Sequence, residues 1–321
     1  MGVSGGTPAS LPTRAWHTAA WVGPACAVLG VFGFSLKGIF IKLAYAAAPV
    51  DAITLLALRM LYAAPFYAAM GWWASRRPGS PRLTRADLRS LVWFGFIGYY
   101  LASLVDFMGL QYITASLERL VMFLYPTIVV LLSALLLGKR VTARSVLALA
   151  LSYAGIAVVF WQDLRLAADA GATLLGGSLV FASAALYALY LVQAGPVIAR
   201  LTSLRFIAWA MLASSVFVLV QFVATRPLAA LAVPREVHLL SLAMAVFATV
   251  LPTWLIAESV HRMGANASSL VGALGPVSTA ALGAAVLGEQ FGLVQVVGGA
   301  LVLAGVLLVT LRPKAPPATT P

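Results

Sequence analysis

Residues 113–139 read ITASLERLVMFLYPTIVVLLSALLLGK, and residues 263–289 read MGANASSLVGALGPVSTAALGAAVLGE. At an offset of 150, Pro126 falls on Pro276, Gly138 on Gly288, and Leu120, Val121 and Leu124 on Leu270, Val271 and Leu274. The register continues without a gap to 160 and 310. There Ala150, Leu151 and Ala154 meet Ala300, Leu301 and Ala304, and Gly155 meets Gly305, making 15 identities in 48 positions. Apolar helices share Leu and Ala by chance. Shared composition does not align a mid-helix proline and two glycines in one register. The chain is therefore read as two copies of one unit.

The solvent of that unit follows from composition. Hydrophobic residues make up 62 % of the 321 residues and charged residues 9 %, against about 45–50 % and about 25 % in soluble domains. Too few charges remain to cover a water-soluble globule, and disordered chains are poor in apolar residues. A bilayer fits. Crossing its core takes about 20 apolar residues as a helix, and ten apolar runs are present. They are 22–46, 51–73, 91–112, 116–137, 143–161, 173–198, 205–224, 238–260, 264–287 and 291–311. The runs are continuous rather than alternating, which excludes the strands of a membrane barrel. The expected fold is all-α, a polytopic membrane protein of ten transmembrane helices. Residues 20–161 form the first five-helix repeat and 173–311 the second, between tails at 1–19 and 312–321.

Five is odd, so the second repeat enters the membrane from the opposite side. Such inverted repeats, related by a pseudo-two-fold axis in the membrane plane, are typical of secondary transporters. Orientation is read from Lys and Arg in the short loops. With a cytoplasmic N-terminus, the inner side carries fourteen, from Arg14 to Lys314, and the outer side only Arg165, Arg226 and Arg235. The net charge of +12 is thus a topology signal, and nucleic acid is not an expected partner. Both termini are expected in the cytoplasm of a bacterium whose inner membrane holds the protein.

Charges inside hydrocarbon are costly and are functional candidates by default. The first repeat has five: Lys37, Arg59, Asp106, Glu118 and Arg119. At ~1.5 Å per residue, Lys37 and Arg59 lie about 12–13 Å from the outer ends of their helices and Asp106 about 9 Å. Glu118 and Arg119 lie about one turn in. These overlapping depths point to one aqueous cavity in the outer half. A carboxylate there takes up a proton, and Arg59 or Lys37 binds an anionic group. The same charges also suit an ion-pair network that merely ties the first four helices together. Adjacent helical residues point about 100° apart, so Glu118 and Arg119 cannot both face one narrow site. Tyr99 and Tyr125 are candidate cavity groups, because a buried tyrosine needs a hydrogen-bond partner. Gln193 and Asn266 are weaker ones. Pro126 and Pro276 each remove a backbone hydrogen bond and mark a kink or hinge. Ala150, Ala154, Ala300 and Ala304 are small residues that allow close contact between helices 5 and 10 or at a dimer face.

Enzyme motifs are missing. There is no HExxH, GxSxG or GxxxxGK, and His17, His238 and His261 are too scattered to bind a metal. No catalytic residue, metal or cofactor is expected. The lone Cys26 permits no internal disulfide. The expected partners are a small-molecule substrate and the lipid bilayer, with the chain a monomer or homodimer. A lipid translocase of the same fold is the alternative carrier.

Several of these residues form a familiar pattern. Gly33-Phe34-Ser35 with Lys42, Arg59, the stretch Gly109–Ser116 (GLQYITAS), Pro126 with the run from Ser133 to Gly138, and Gly288-Glu289-Gln290 together resemble the EamA-like branch of the drug/metabolite transporter superfamily. The resemblance spans about 20–311. It implies ten helices, a central substrate cavity built from both repeats, export of a small polar metabolite such as an amino acid or organic acid, and proton coupling. The chain departs from the pattern at Phe32-Gly33, where Trp-Gly is usual, and at Lys139, where an acidic residue is expected. Glu289 keeps that acid in the second repeat.

Overall fold

A computed structural model of the protein describes residues 21–290 and 292–310, leaving aside the side chains at 265, 266 and 269. The expected tails, with Arg14, His17, Arg312 and Lys314, and the side chain of Asn266 lie outside the described residues. Among the described residues ten helices are long and apolar enough to cross a membrane. They are α1 (Val22–Ala47), α2 (Ala52–Ser75), α3 (Arg85–Gly109), α4 (Ala115–Leu137), α5 (Ala143–Leu166), α6 (Ala170–Leu201), α7 (Ser203–Thr225), α8 (Arg235–Met263), α9 and α10 (Leu293–Thr310). The ninth has two pieces, Ala265–Gly272 and Leu274–Leu287.

Where the boundaries differ from the apolar runs, polar caps explain it. The third helix starts at Arg85 rather than at 91 because Thr84 and Asp87 form a reciprocal capping box, which satisfies two orphan backbone donors ahead of the hydrocarbon. Asp51 does the same for α2. Its Oδ1 accepts the Ile53 and Thr54 N–H groups at 3.0 and 3.3 Å, its Oδ2 accepts the Thr54 hydroxyl at 2.6 Å, and Arg226 approaches at 3.3 Å. Partial burial pushes the Asp51 carboxyl up, but the Thr54 bonds and Arg226 outweigh it and hold the group below its ordinary value. A depressed carboxyl stabilises above the ordinary carboxylate range, and that contribution is lost as pH falls through the lowered value. Asp51→Ala is therefore expected to cost about 1 kcal/mol at pH 7. The gap to wild type should narrow in acid, which thermal unfolding at pH 7 and pH 3 would check.

The repeats interlock. In the first, α1 leaves its own repeat and packs on α8 and α9 of the second; in mirror fashion α6 packs on α3 and α4. The equivalent helices α2 and α7 pack together, as do α5 and α10. The α5–α10 seam uses Ala148, Ser152, Gly155, Gly298, Val302 and Gly305. A Cβ on Gly155 would sit 2.5 Å from the Gly298 carbonyl. Ala150, Ala154, Ala300 and Ala304, expected at this contact or at a dimer face, are not at the contact and are exposed on the other faces of their helices.

Two irregularities recur in both repeats. The fourth helix is interrupted at Phe123–Leu124 and the ninth at Ala273, just ahead of Pro126 and Pro276. Each proline lacks an N–H, and its ring clashes with the preceding turn. Polar groups attend both breaks: Thr127 Oγ1 donates to the Leu124 carbonyl at 2.8 Å, and Ser35 Oγ to that of Gly275 at 3.1 Å. Wide π-helical turns occupy Gly95–Leu101 in α3 and Val246–Val250 in α8. In the latter, Thr249 Oγ1 donates to the Met244 carbonyl at 2.9 Å. Such turns often accompany functional sites.

Candidate functional site

A cavity of about 450 Å³ lies between the repeats. The first repeat lines it with Lys37, Arg59, Tyr67, Tyr99, Asp106, Arg119, Tyr125 and Pro126, and the second with Ser183, Tyr187, Thr249, Thr253 and Ser268. Its lining begins beneath Lys37 and Asp106 and runs towards Val260, Ser268 and Thr310. Those three stand at the end of the bundle that carries eleven of the fourteen loop-region Lys and Arg side chains among the described residues. We call that end the basic face and the other the far face.

At the far-face end Lys37 Nζ donates to Asp106 Oδ2 at 2.6 Å and to Glu118 Oε1 at 3.0 Å. One ammonium thus joins α1, α3 and α4. Both carboxylates are almost wholly buried, at 2 % and 1 % exposure. Asp106 Oδ1 has no hydrogen-bond partner. Two carboxylates thus share one ammonium, and with both ionised the triad carries one excess negative charge.

The two arginines are arranged differently. Arg59 is 5 % exposed, its guanidinium lies 5.2 Å from the centre of the Phe107 ring, and its Nε has no hydrogen-bond partner. Arg119 Nε is likewise unpartnered, and its guanidinium lies close to the backbone at Gly275, where an added Cβ would come within 2.9 Å. Among the described residues neither arginine has a carboxylate within ion-pair distance. A buried guanidinium without an acceptor is unfavourable in the empty protein and complements an anion when one arrives.

Of the residues singled out from the sequence, Lys37, Arg59, Tyr99, Asp106, Arg119, Tyr125 and Pro126 share this lining. Glu118 does not; it stands behind Lys37, one turn into α4. Its neighbour Arg119 takes the cavity face, as the 100° step between adjacent residues requires. Pro276 lines a second cavity, of about 480 Å³, between α4, α5, α9 and α10. Gln193 is not on the central lining, since its side chain accepts from Trp93 Nε1 at 3.3 Å. A chain of tyrosines forms one wall. The Tyr99 and Tyr190 hydroxyls are 2.9 Å apart, and Tyr187 packs against both Tyr125 and Tyr190. Sequence reasoning missed Tyr67, Ser183, Thr249 and Thr253. The Tyr67 hydroxyl meets the Thr249 carbonyl and the Thr253 hydroxyl, each at 3.3 Å. The available signals were two hydroxyls four apart in one apolar span, and a tyrosine two turns along α2 from Arg59.

Ten spans in two interlocked inverted repeats around a polar cavity define a multi-pass membrane protein. The chain belongs to the EamA-like transporter family, which matches residues 21–161 and 174–311. YcbK of Bacillus subtilis (strain 168), an uncharacterized transporter, is 29 % identical over 289 residues, covering 87 % of this chain and 89 % of its own. YetK of the same organism, also an uncharacterized transporter, is 24 % identical over 241 residues, with coverages of 75 % and 73 %. A protein of known crystal structure superposes with a TM-score of 0.58 at 22 % identity, over 88 % of this chain and 96 % of that one. It shares the fold.

Proposed function

We propose that this transporter is a secondary carrier that exports a small metabolite bearing an anionic group, such as an amino acid or organic acid, across a bacterial inner membrane. The observation that carries this reading is the pair of arginines, Arg59 and Arg119, on the wall of a cavity shared by both repeats, each with an Nε that has no hydrogen-bond partner and with no carboxylate in ion-pair range among the described residues. The basic face is the cytoplasmic one, by the excess of Lys and Arg there, and α1 begins and α10 ends on it. The substrate enters from that face, where the cavity lining approaches the surface. Its anionic group sits between the two arginines, and its body lies against the tyrosine wall. The triad supplies the coupling, because a proton taken up by Asp106 or Glu118 removes the excess charge held around Lys37. The inverted repeats supply the movement, since each conformation of one repeat has a mirror counterpart in the other.

Purified protein in liposomes, loaded in turn with radiolabelled amino acids and organic acids, tests this. The expected result is movement of an anionic or zwitterionic solute that responds to a pH gradient. Asp106→Asn or Glu118→Gln should remove that response. A gradient response intact in both variants would strip the triad of its coupling role, and movement of cationic solutes alone would overturn the assignment of the arginines.

A further inference from the structure

The two ends of the cavity are built unequally. On the far face, Glu289 follows the left-handed Gly288 (φ +67°) that ends α9 and reaches the first turn of α4. Its carboxylate accepts the Ala115 N–H at 2.6 Å, the Ser116 N–H at 3.0 Å and the Ser116 hydroxyl at 2.5 Å. A carboxylate at a helix N-terminus meets unsatisfied N–H groups and the positive end of the helix dipole. The approach needs Gly283, where a Cβ would lie 2.6 Å from Glu289 Oε2 and 2.9 Å from Ser116 Oγ. On this side the Leu274–Leu287 piece of α9 packs directly on the Ala115–Met122 piece of α4. Towards the basic face the two helices part. The Tyr125–Leu137 piece packs on α5, α6 and α10, and the Ala265–Gly272 piece on α1, α8 and α10.

The pseudo-two-fold carries residue 289 to 139 and residue 283 to 133. The backbone there is the same: Gly138 is left-handed at φ +62°, and the Lys139 N–H bonds the Ser133 carbonyl as the Glu289 N–H bonds that of Gly283. The side chains are not. Lys139 offers no acceptor and is repelled by a helix N-terminus, and residue 133 is a serine where residue 283 is a glycine. The facing N-terminus of α9 starts at Gly264, which provides no side-chain cap. We infer that Glu289 latches the far-face gate, that the mirror gate on the basic face has no latch, and that the empty protein therefore rests open to the basic face. Glu289 is a positioning residue, because it holds α4 against α9 and does not line the central cavity. The inference takes from the proposed function only that the carrier has two access states.

Its test needs no substrate. In a Cys26→Ser background, Ser103→Cys places a single thiol on the cavity lining. A membrane-impermeant maleimide is then offered to each face of oriented vesicles. With Glu289 intact, labelling is expected to be faster from the basic face. Glu289→Gln should raise the far-face rate about tenfold, the effect of losing one charge-assisted hydrogen bond. Lys139→Glu with Ser133→Gly builds the mirror latch and should move the preference the same way while Glu289 remains. An unchanged preference in folded Glu289→Gln protein overturns the inference, and so does an unchanged preference in the double variant, which decides the matter if Glu289→Gln does not fold. A failed liposome assay with a shifted labelling ratio would sink the transport reading and leave the latch standing.

Discussion

Lys37→Met is expected to be the most destabilising single substitution in the cavity, at about 3–5 kcal/mol, the usual result of removing one partner from a buried ionic group. The ammonium is the shared partner of Asp106 and Glu118. Without it two carboxylates face each other in an environment that solvates neither. The companion experiment separates structure from function. Lys37→Met with Asp106→Asn and Glu118→Gln removes all three charges together and should recover most of the lost stability, because a buried ionic cluster replaced as a whole is often neutral. The triple variant should still lack any pH-gradient response. Thermal unfolding in detergent reads the stability and the liposome assay reads the coupling. If Lys37→Met unfolds at the wild-type temperature, the triad does not hold α1, α3 and α4 together. If the triple variant transports with full gradient response, the triad is structural only.

Arg59→Met should act in the opposite direction on stability. The wild-type guanidinium is buried, with an Nε that has no hydrogen-bond partner among the described residues and the Phe107 ring centre 5.2 Å away. Replacing it by an apolar side chain of similar length removes a desolvated charge, so the empty protein should melt at the same temperature or higher. Anion binding should fall about 10- to 100-fold, the equivalent of one hydrogen bond to a charged group. Arg119→Met should follow with a smaller gain in stability, since that side chain is less buried. Ligand-induced thermal shifts measured across a set of organic anions give both quantities in one experiment. A melting temperature several degrees lower with ligand shifts intact would make Arg59 a structural counterion and remove the main support for an anionic substrate.

These two residues also show how far the sequence reaches. Depth alone places Lys37, Asp106 and Glu118 near one another, since counting residues along a helix measures distance across a bilayer. Depth does not report azimuth. It groups Arg59 with the triad, whereas in the structure Lys37 pairs with both carboxylates and, among the described residues, neither arginine has a carboxylate within ion-pair distance. The same gap hid the part played by Glu289. A glutamate after a glycine at the end of a span reads as a loop residue until the first turn of α4 is seen against it.

The chain by itself determined the solvent, the number of crossings, the duplication and its inversion, because each of these is a property of a single helix or of the order of helices along the chain. It also determined that a proline breaks the fourth and ninth helices at matching places. Only the tertiary structure decided that α1 and α6 change places between repeats, that the α5–α10 seam runs along Gly155, Gly298 and Gly305 instead of the neighbouring alanines, and which charges meet. In an almost uniformly apolar helix any face looks fit for lipid, so hydropathy carries no rotational information. Rotation is fixed by close backbone approach and by polar groups finding partners across helices, and both exist only once the helices are assembled.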